Sequence, residues 1–295
     1  MRLKLRCFLI CTFLCVPFLS SAGRGHDSLL TTAESLMAQG EYARAAIAFE
    51  YAMYKAEDAT EEAKACMGKA RAYKRMEDFE GALKSLQRVQ LRPLGDTLHY
   101  EVRSEMAYLM FVTRRFGEAD QQFKQMDFFL PKLELRQRSY FLRILTLNEL
   151  RRWDEASTAA KEWVASLDAA QPVRDSLNTL VEQWYSKVPK LKKQKRAEVL
   201  SVIPGMGHWY SGYFGEGVVS MIVSLAALSY ATFNVFAGNY LTALTLGTAL
   251  LQQFLFGGAR RARFLVKQKN YERTREFNNP IKQGLVDWQR KWGMQ

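Results

Sequence analysis

A chain of 295 residues with 42 Lys and Arg against 30 Asp and Glu carries a formal net charge of +12. A basic excess spread over a surface suits a nucleic-acid-binding protein, but this excess is local. Residues 23–186 hold 23 cations and 25 anions, whereas residues 187–196 hold six cations and residues 260–275 hold seven. Because both basic runs flank one apolar block, phospholipid headgroups explain them better, and we predict no nucleic-acid partner.

The N-terminal segment has the pattern of a secretory signal peptide. Basic residues precede an apolar run over 7–19, and the small residues Ser20 and Ala22 follow it. We predict a signal peptide over residues 1–22, cleaved after Ala22; an uncleaved anchor is less favoured because the run is shorter than a membrane-spanning helix. Three of the four cysteines lie in this segment. The remaining one, Cys66, can form no intramolecular disulfide and no zinc site, and we expect it to be a small buried residue.

Residues 27–167 repeat with a step of 37 residues. The repeating columns are Tyr42, Phe79, Phe116 and Trp153; Ala45, Ala82, Ala119 and Ala156; Phe49, Leu86, Phe123 and Ala160; Ala52, Val89, Met126 and Trp163; and, upstream, Ala33, Ala70, Ala107 and Ile144. Within a unit the first four columns fall at i, i+3, i+7 and i+10, which is one face of a helix. The period predicts a solenoid of helical hairpins. The turn contains Gly40 in the first unit but no glycine later, so it does not depend on glycine.

The sequence Gly40-Glu41-Tyr42, with Ala45, Phe49 and Ala52 after it, resembles the tetratricopeptide repeat. The usual period of that family is about 34 residues, so three additional residues per unit lengthen the helices or the loops, and a related helical repeat stays open. The resemblance implies a right-handed superhelix with a concave groove for extended peptides or partner helices, and it implies no chemistry. The repeating columns are core packing, so binding residues are expected on other faces.

We predict that seven residues outside the columns face this groove and bind a protein partner: Lys64, Arg71, Lys74, Arg75, Glu101, Tyr108 and Arg138. Each of these side chains, taken singly, is more often solvated surface. Residues 172–186 are predicted to form a helix that caps the last hairpin.

Residues 217–259 contain no Asp, Glu, Lys or Arg. Two apolar helices of membrane-spanning length fit this block, over 218–237 and 240–256, with a turn at Gly238-Asn239. A buried hairpin of a soluble domain is the less favoured alternative. The strongly polar side chains within the two spans are Asn234, Gln252 and Gln253. No charge pair lies within the spans to support transport.

A glycine-rich motif precedes the first span, and its residues are Pro204, Gly205, Gly207, His208, Trp209, Tyr210 and Gly212. The pattern Pro-Gly-x-Gly-x-x-Tyr-x-Gly resembles the start of small two-span modules in many bacterial membrane proteins, which are largely without assigned activity. We expect the glycines and the proline to prevent a regular helix and the motif to lie at the membrane interface. His208 has Ser211 and Glu216 nearby in sequence. No second acid or ligand cluster accompanies it, so a structural role is favoured over a hydrolase centre.

The C-terminal segment predicts one more helix. Asn278-Asn279-Pro280 has the pattern of a helix start, and Ile281, Leu285, Trp288 and Trp292 then follow on one face. Two arrangements fit this face. The helix lies at the bilayer surface with Trp288 and Trp292 as interfacial anchors, or it docks back on the protein.

These segments predict an all-α chain in which an α-solenoid of about four helical hairpins precedes a transmembrane helical hairpin. The predicted parts are the signal peptide (1–22), a repeat domain with its capping helix (23–186), a basic linker with the Gly-rich interfacial segment (187–216), a two-span hairpin (217–259) and a basic amphipathic tail (260–295). We predict a non-enzymatic scaffold that binds a protein partner through the repeats and membrane lipids through the basic flanks and hairpin, with no cofactor and no metal.

The predicted location is a bacterial inner membrane with a periplasmic repeat domain. A two-span hairpin then leaves both basic runs outside, against the usual cytoplasmic bias of Lys and Arg; alternatively, residues 199–215 cross or re-enter the membrane. A second function stays open, an accessory subunit of a transport or protein-insertion machine in which the hairpin is the working part.

Overall fold

The computed structural model describes residues 22–130 and 133–292. All regular elements in these two stretches are helices, and neither stretch contains a β-strand. The predicted all-α class is therefore confirmed for the described residues. Apart from its last residue, the predicted signal peptide over 1–22 lies outside them. The chain divides into two compact units, the first ending at Leu135 and the second beginning at Arg136.

Consecutive helices of similar amphipathic pattern form the first unit. In the part that ends at residue 130 they are α1 (Ala22–Ala38), α2 (Tyr42–Lys55), α3 (Ala59–Arg75), α4 (Phe79–Leu86), α5 (Asp96–Val112) and α6 (Phe116–Phe129). Each helix packs on the next, and α3 also contacts α1 and α5. Residues of the repeating columns are buried between them, among them Ala45, Phe49, Ala52, Ala82, Leu86, Ala119 and Phe123. Small Ala residues at these positions allow the helices to approach closely.

The turns that follow α1, α3, α5 and the helix ending at Glu149 share one backbone geometry. Each has a left-handed residue, with φ between 60° and 79°, and these residues are Gly40, Glu77, Arg114 and Arg151, 37 positions apart. The N–H group of the next residue donates to the carbonyl five residues earlier, as from Glu41 to Leu36 at 3.0 Å. This is the Schellman ending of a helix. Three of these turns have a non-glycine residue in the left-handed region, which costs about 1–2 kcal/mol.

Replacing Arg114 with Gly should therefore stabilise the protein. Arg114→Gly removes the steric cost of the left-handed conformation, and part of the gain is offset by the greater freedom of Gly in the unfolded chain. We expect the free energy of unfolding of the full chain in detergent, measured by heat or denaturant, to rise by about 0.5–1 kcal/mol. Arg114→Ala is the matched control, since it removes the same side chain but keeps the strain. A glycine variant no more stable than the alanine variant would contradict this account.

The second unit contains the remaining helices. They are α7 (Leu133–Glu149), which begins just before the boundary, α8 (Trp153–Ser166), α9 (Gln171–Tyr185), α10 (Gln194–Leu200), α11 (Met206–Ser211), α12 (Phe214–Phe236), α13 (Tyr240–Thr242), a π-helical turn (Ala243–Gly247) and α14 (Thr248–Trp292). The helix predicted over 172–186 is present as α9, and it packs on α8.

Two helical stretches of the described chain are long and apolar enough, by length and composition, to cross a membrane. One is α12, and the other begins at Tyr240 and continues into α14. They join at Gly238, whose φ of 78° makes the predicted tight turn. A Cβ atom on Gly247 would lie 2.7 Å from the Cβ of Ala231, so the two stretches touch through small residues, as helices in lipid commonly do.

The prediction of a new helix beginning at Asn278-Asn279-Pro280 is wrong, because α14 runs through Pro280 without a break. Asn278 does not cap a helix. Its side-chain oxygen accepts a hydrogen bond from the Trp153 indole at 3.1 Å, and its amide donates to the Asn148 carbonyl at 3.0 Å. These buried bonds to α8 and α7 hold the helix in place where the proline has removed one backbone hydrogen bond.

The expectation that glycines and a proline prevent a helix in the motif is wrong for residues 206–211, which form α11. Gly205 and Gly212 bound this short helix with left-handed φ values of 86° and 97°. The glycines therefore set the limits of the helix instead of abolishing it.

The C-terminal part of α14 docks on α8 and α9, which is the second of the two arrangements considered for it. Trp288 is only 7% exposed, and its ring centroid lies 5.9 Å from that of Trp163 and 4.9 Å from that of Trp184. The Trp288 indole is thus covered by protein and not free to anchor at a bilayer surface. The side chain of Trp292 lies outside the described residues.

Gly284 is the closest point of this docking contact. A Cβ atom there would lie 2.2 Å from Cζ2 of Trp184, whereas a Cβ atom on Gly257 of the same helix would meet nothing within 4 Å. Gly284→Ala should cost about 1–3 kcal/mol through overpacking, and Gly257→Ala, the matched control, should be neutral or slightly stabilising. Thermal unfolding of the full chain measures both. Equal effects of the two substitutions would show that the tryptophan contact does not contribute to stability.

Candidate functional site

The motif glycines allow backbone segments of the second unit to approach one another. A Cβ atom on Gly205 would lie 2.5 Å from the carbonyl oxygen of Gly217, and one on Gly207 would lie 2.5 Å from the carbonyl oxygen of Ala197 and 3.0 Å from the Cβ of Ala262. No larger residue fits these positions without displacing main chain. Helices α10 and α11 therefore pack directly on α14.

The aromatic residues of the motif are half-buried and join it to its neighbours. The Tyr210 hydroxyl accepts a hydrogen bond from the N–H of Lys193 at 3.1 Å. The main-chain carbonyl of Tyr210 accepts one from Nζ of Lys192 at 2.5 Å. The Trp209 indole donates to the Phe214 carbonyl at 3.2 Å. Pro204 is half-buried as well. The motif thus has a packing role, and its position at a membrane interface stays a prediction.

The two basic runs meet in the second unit. Asn270 of α14 exchanges two hydrogen bonds of 2.8 Å with the main chain of Lys192, and Arg273 donates to the Lys190 carbonyl at 2.8 Å. Burial lowers the pKa of the Lys192 amine, and the cations Arg273 and Lys269 lower it further. Since the runs touch, they must lie on the same side of any bilayer that the apolar helices cross, as a two-span hairpin requires.

A cavity of about 660 Å³ lies between α11, α12 and α14. Five of its lining residues carry polar or charged side chains: His208, Glu216, Ser220, Gln253 and Arg261. The apolar part of the lining includes Val219, Val223 and Phe254, and Gly257 and Gly258 leave the α14 wall without side chains. The cavity is therefore amphipathic, and it lies where the apolar helices begin.

An ion pair and a buried histidine determine the electrostatics of this cavity. Arg261 donates two hydrogen bonds to the Glu216 carboxylate, at 2.9 and 3.0 Å. His208 is 4% exposed, and its Nδ1 makes no hydrogen bond with the residues that the structure describes. Burial lowers the pKa of the His208 imidazole, Glu216 opposes this change and Arg261 adds to it. We therefore assign His208 the neutral form at neutral pH.

Of the two residues that the sequence places near His208, one is used in packing and the other lines the cavity. Ser211 donates to the carbonyls of Gly207 and Ala262, at 2.7 and 3.2 Å, so its hydroxyl is used in packing. Glu216 does line the cavity with His208. Ser220 and Arg261 also line it, and sequence reasoning missed them because both come into contact with the motif only through the fold.

The groove candidates of the first unit lie on α3 and α5. Lys74 pairs with Glu105 and lies 5.2 Å from the ring centroid of Tyr108, and Arg71 pairs with Glu34 at 2.5 Å. These contacts join α1, α3 and α5 into one polar face, which we call the inner face. Of the other candidates, Lys64, Arg75 and Glu101 are exposed on α3 and α5, and Arg138 is exposed on α7 in the second unit.

Sequence reasoning missed a second groove, of about 630 Å³, between α2 and α3. Its lining includes the exposed side chains of Ile47, Tyr51, Tyr54 and Met76. Ile47, Tyr51 and Tyr54 fall at i, i+4 and i+7, so the sequence did hold a signal, a second apolar stripe on α2 outside the repeating columns.

Cysteine and metal chemistry find no support in the described residues. Cys66 is fully buried, and burial raises the pKa of its thiol to about 11, so the expectation of a small buried residue is confirmed. Within 22–130 and 133–292, no three His, Cys, Asp or Glu side chains cluster in a way that could hold a metal ion.

Comparison with family models, with curated proteins and with solved structures finds no match to this chain. The tetratricopeptide resemblance accordingly stays a prediction from the repeat columns. The cavity and the inner face are candidate sites on their geometry alone.

The buried imidazole predicts a pH dependence of stability. The unfolded chain protonates His208 below its ordinary pKa of about 6.5, whereas the folded chain does so only at lower pH, so stability present near pH 7 is lost as pH falls. The melting temperature of the full chain should fall less steeply between pH 7 and pH 5 in His208→Asn. His99, whose pKa burial also lowers, stays intact in both proteins and serves as the internal control. If the melting temperatures of the unaltered chain and of His208→Asn fall equally between pH 7 and pH 5, the assignment of a neutral His208 is wrong.

Proposed function

We propose that this chain is a non-enzymatic, membrane-anchored helical-repeat scaffold of a bacterial cell envelope. In this proposal the helix pairs stack as a tetratricopeptide-like solenoid, the repeat domain is periplasmic, and the apolar hairpin crosses the inner membrane. The recurrence of helix ends and left-handed turns at 37-residue steps supports a solenoid. The two apolar helices support a membrane anchor.

The observation that carries the proposal is the continuity of α14. Its 45 residues extend about 68 Å in all, and the helix runs from the apolar stretch past the contact of Asn278 with α8 and those of Trp288 with α8 and α9. Trp153, the aromatic of the fourth repeat, donates to Asn278 of this helix. A continuous helix therefore joins α8 and α9 to the apolar hairpin, which is what a membrane-held binding arm needs.

The proposed partner is a protein that contacts the inner face of the first unit. Arg71, Lys74 and Tyr108 lie together there, and they offer two cations beside an exposed ring. Glu34 and Glu105 already pair with the cations, so the face is of mixed charge. Polar faces of helical repeats commonly bind an extended peptide or a partner helix.

Chemical cross-linking followed by co-purification of the full chain from membranes tests this function. Replacing Arg71 and Tyr108 together by Ala should reduce a specific co-purifying protein at least fivefold. Lys84→Ala on α4, which removes an exposed cation outside the candidate face, should leave it unchanged. A co-purifying protein that survives the double variant and is lost only when the apolar hairpin is exchanged would contradict the scaffold and favour the transport or insertion subunit.

A further inference from the structure

Four of the polar residues that line the cavity of the second unit occur at three depths along α12 and α14. Glu216 and Arg261 lie at the ends of the apolar helices, beside the basic runs. Ser220 is one helical turn further along α12, and Gln253 is eight residues from Arg261, or about 12 Å along α14. Val219, Val223 and Phe254 provide apolar surface between these levels. The cavity therefore changes, in the direction of the spans, from a charged end to a wall that mixes apolar and uncharged polar side chains.

A charged end at the start of the spans, followed by Ser220 and by apolar surface, suits a phospholipid. A headgroup carries charge at the membrane surface, ester carbonyls accept hydrogen bonds just below it, and acyl chains follow. Arg261 and a neutral His208 are suited to a phosphate, because the guanidinium donates charged hydrogen bonds and the imidazole offers a neutral N–H. The Ser220 hydroxyl, one helical turn below the charged pair, can donate to an ester carbonyl.

Glu216 decides between lipid classes. Its carboxylate faces the same end of the cavity as Arg261, so this end carries one negative and one positive charge. A headgroup with only negative charge would be attracted by Arg261 but repelled by Glu216. A headgroup with both a phosphate and a primary ammonium complements both residues, and the ammonium can donate hydrogen bonds to a carboxylate.

We propose that this cavity binds one phospholipid with an ethanolamine headgroup, its phosphate at Arg261 and His208, its ammonium at Glu216 and its acyl chains along Val219, Val223 and Phe254. The bound headgroup inserts between Glu216 and Arg261 and replaces their mutual hydrogen bonds with bonds to its own charges. The site belongs to the apolar hairpin and needs no protein partner, so it can fail or hold independently of the scaffold function.

The chain offers a matched control for the two charged residues. Glu198 and Arg263 form a second ion pair, at 3.5 Å, between α10 and α14, and neither residue lines the cavity. Glu216→Gln and Arg261→Gln can therefore be compared with Glu198→Gln and Arg263→Gln, which change the net charge equally, and both arginines lie on α14. Gly257 lines the cavity, and a Cβ atom there would meet no described atom within 4 Å, so the side chain of Gly257→Leu can occupy the cavity.

Native mass spectrometry of the full chain in detergent tests the proposal, with phosphatidylethanolamine, phosphatidylglycerol and phosphatidylcholine of identical chains added in turn. We expect one phosphatidylethanolamine retained per chain, at least fivefold over the other two lipids, and no binding of glycerophosphoethanolamine, which lacks acyl chains. Glu216→Gln, Arg261→Gln and Gly257→Leu should each reduce retention at least fivefold, and the Glu198 and Arg263 variants should not.

Three results would overturn the proposal. They are equal or greater retention of phosphatidylglycerol or phosphatidylcholine, retention of the headgroup compound without chains, and equal effects of the cavity pair and the control pair. Circular dichroism of each variant establishes that it keeps its helical content. If one variant fails to fold, the remaining two, with the lipid comparison on the unaltered chain, still decide the outcome.

Discussion

Close approach of main chains at glycine positions is the constraint on which the second unit depends. Where Gly205 faces Gly217, and Gly207 faces Ala197 and Ala262, the separation leaves no room for a Cβ atom. This contact brings α10 and α11 against α14, and with them the basic linker that Asn270 and Tyr210 hold by hydrogen bonds. The amphipathic cavity forms at the same place, because α11 presents His208 where the apolar helices begin. A larger residue at one of these glycines would disturb the packing, the linker and the cavity together.

The periodic part of the chain could be predicted from sequence because its information is local. A helix face is set by residues three and four apart, so the columns that contain Ala45 and Phe49 identified buried positions correctly. The turn at Gly238 and the two apolar stretches were likewise visible in composition. The tetratricopeptide resemblance rests on the same columns, and the stacking of the helix pairs into a solenoid stays a prediction.

The failures share a different physical cause, which is contact between residues far apart in the chain. Pro280 signals a helix start in isolation, yet α14 is continuous there, where Asn278 accepts a hydrogen bond from Trp153 and donates one to Asn148, both more than 120 residues away. Trp288 has the pattern of a membrane anchor, but it is buried between Trp163 and Trp184. Arg261 and Ser220 could not be assigned to a site with His208, because nothing in their spacing indicates that α11 packs between their helices.

The uninterrupted course of α14 fixes rotation as well as distance. Each residue of an α-helix turns the chain by about 100° and advances it by about 1.5 Å. The angle around the helix axis between the face that meets Trp184 and the face that meets α12 is therefore fixed. Inserting a single residue between Ala262 and Asn278 would turn one contact slightly more than a quarter-circle away from its partner, whereas a seven-residue insertion would nearly restore the rotation. The sequence of this segment can vary in composition, but its length is under geometric control.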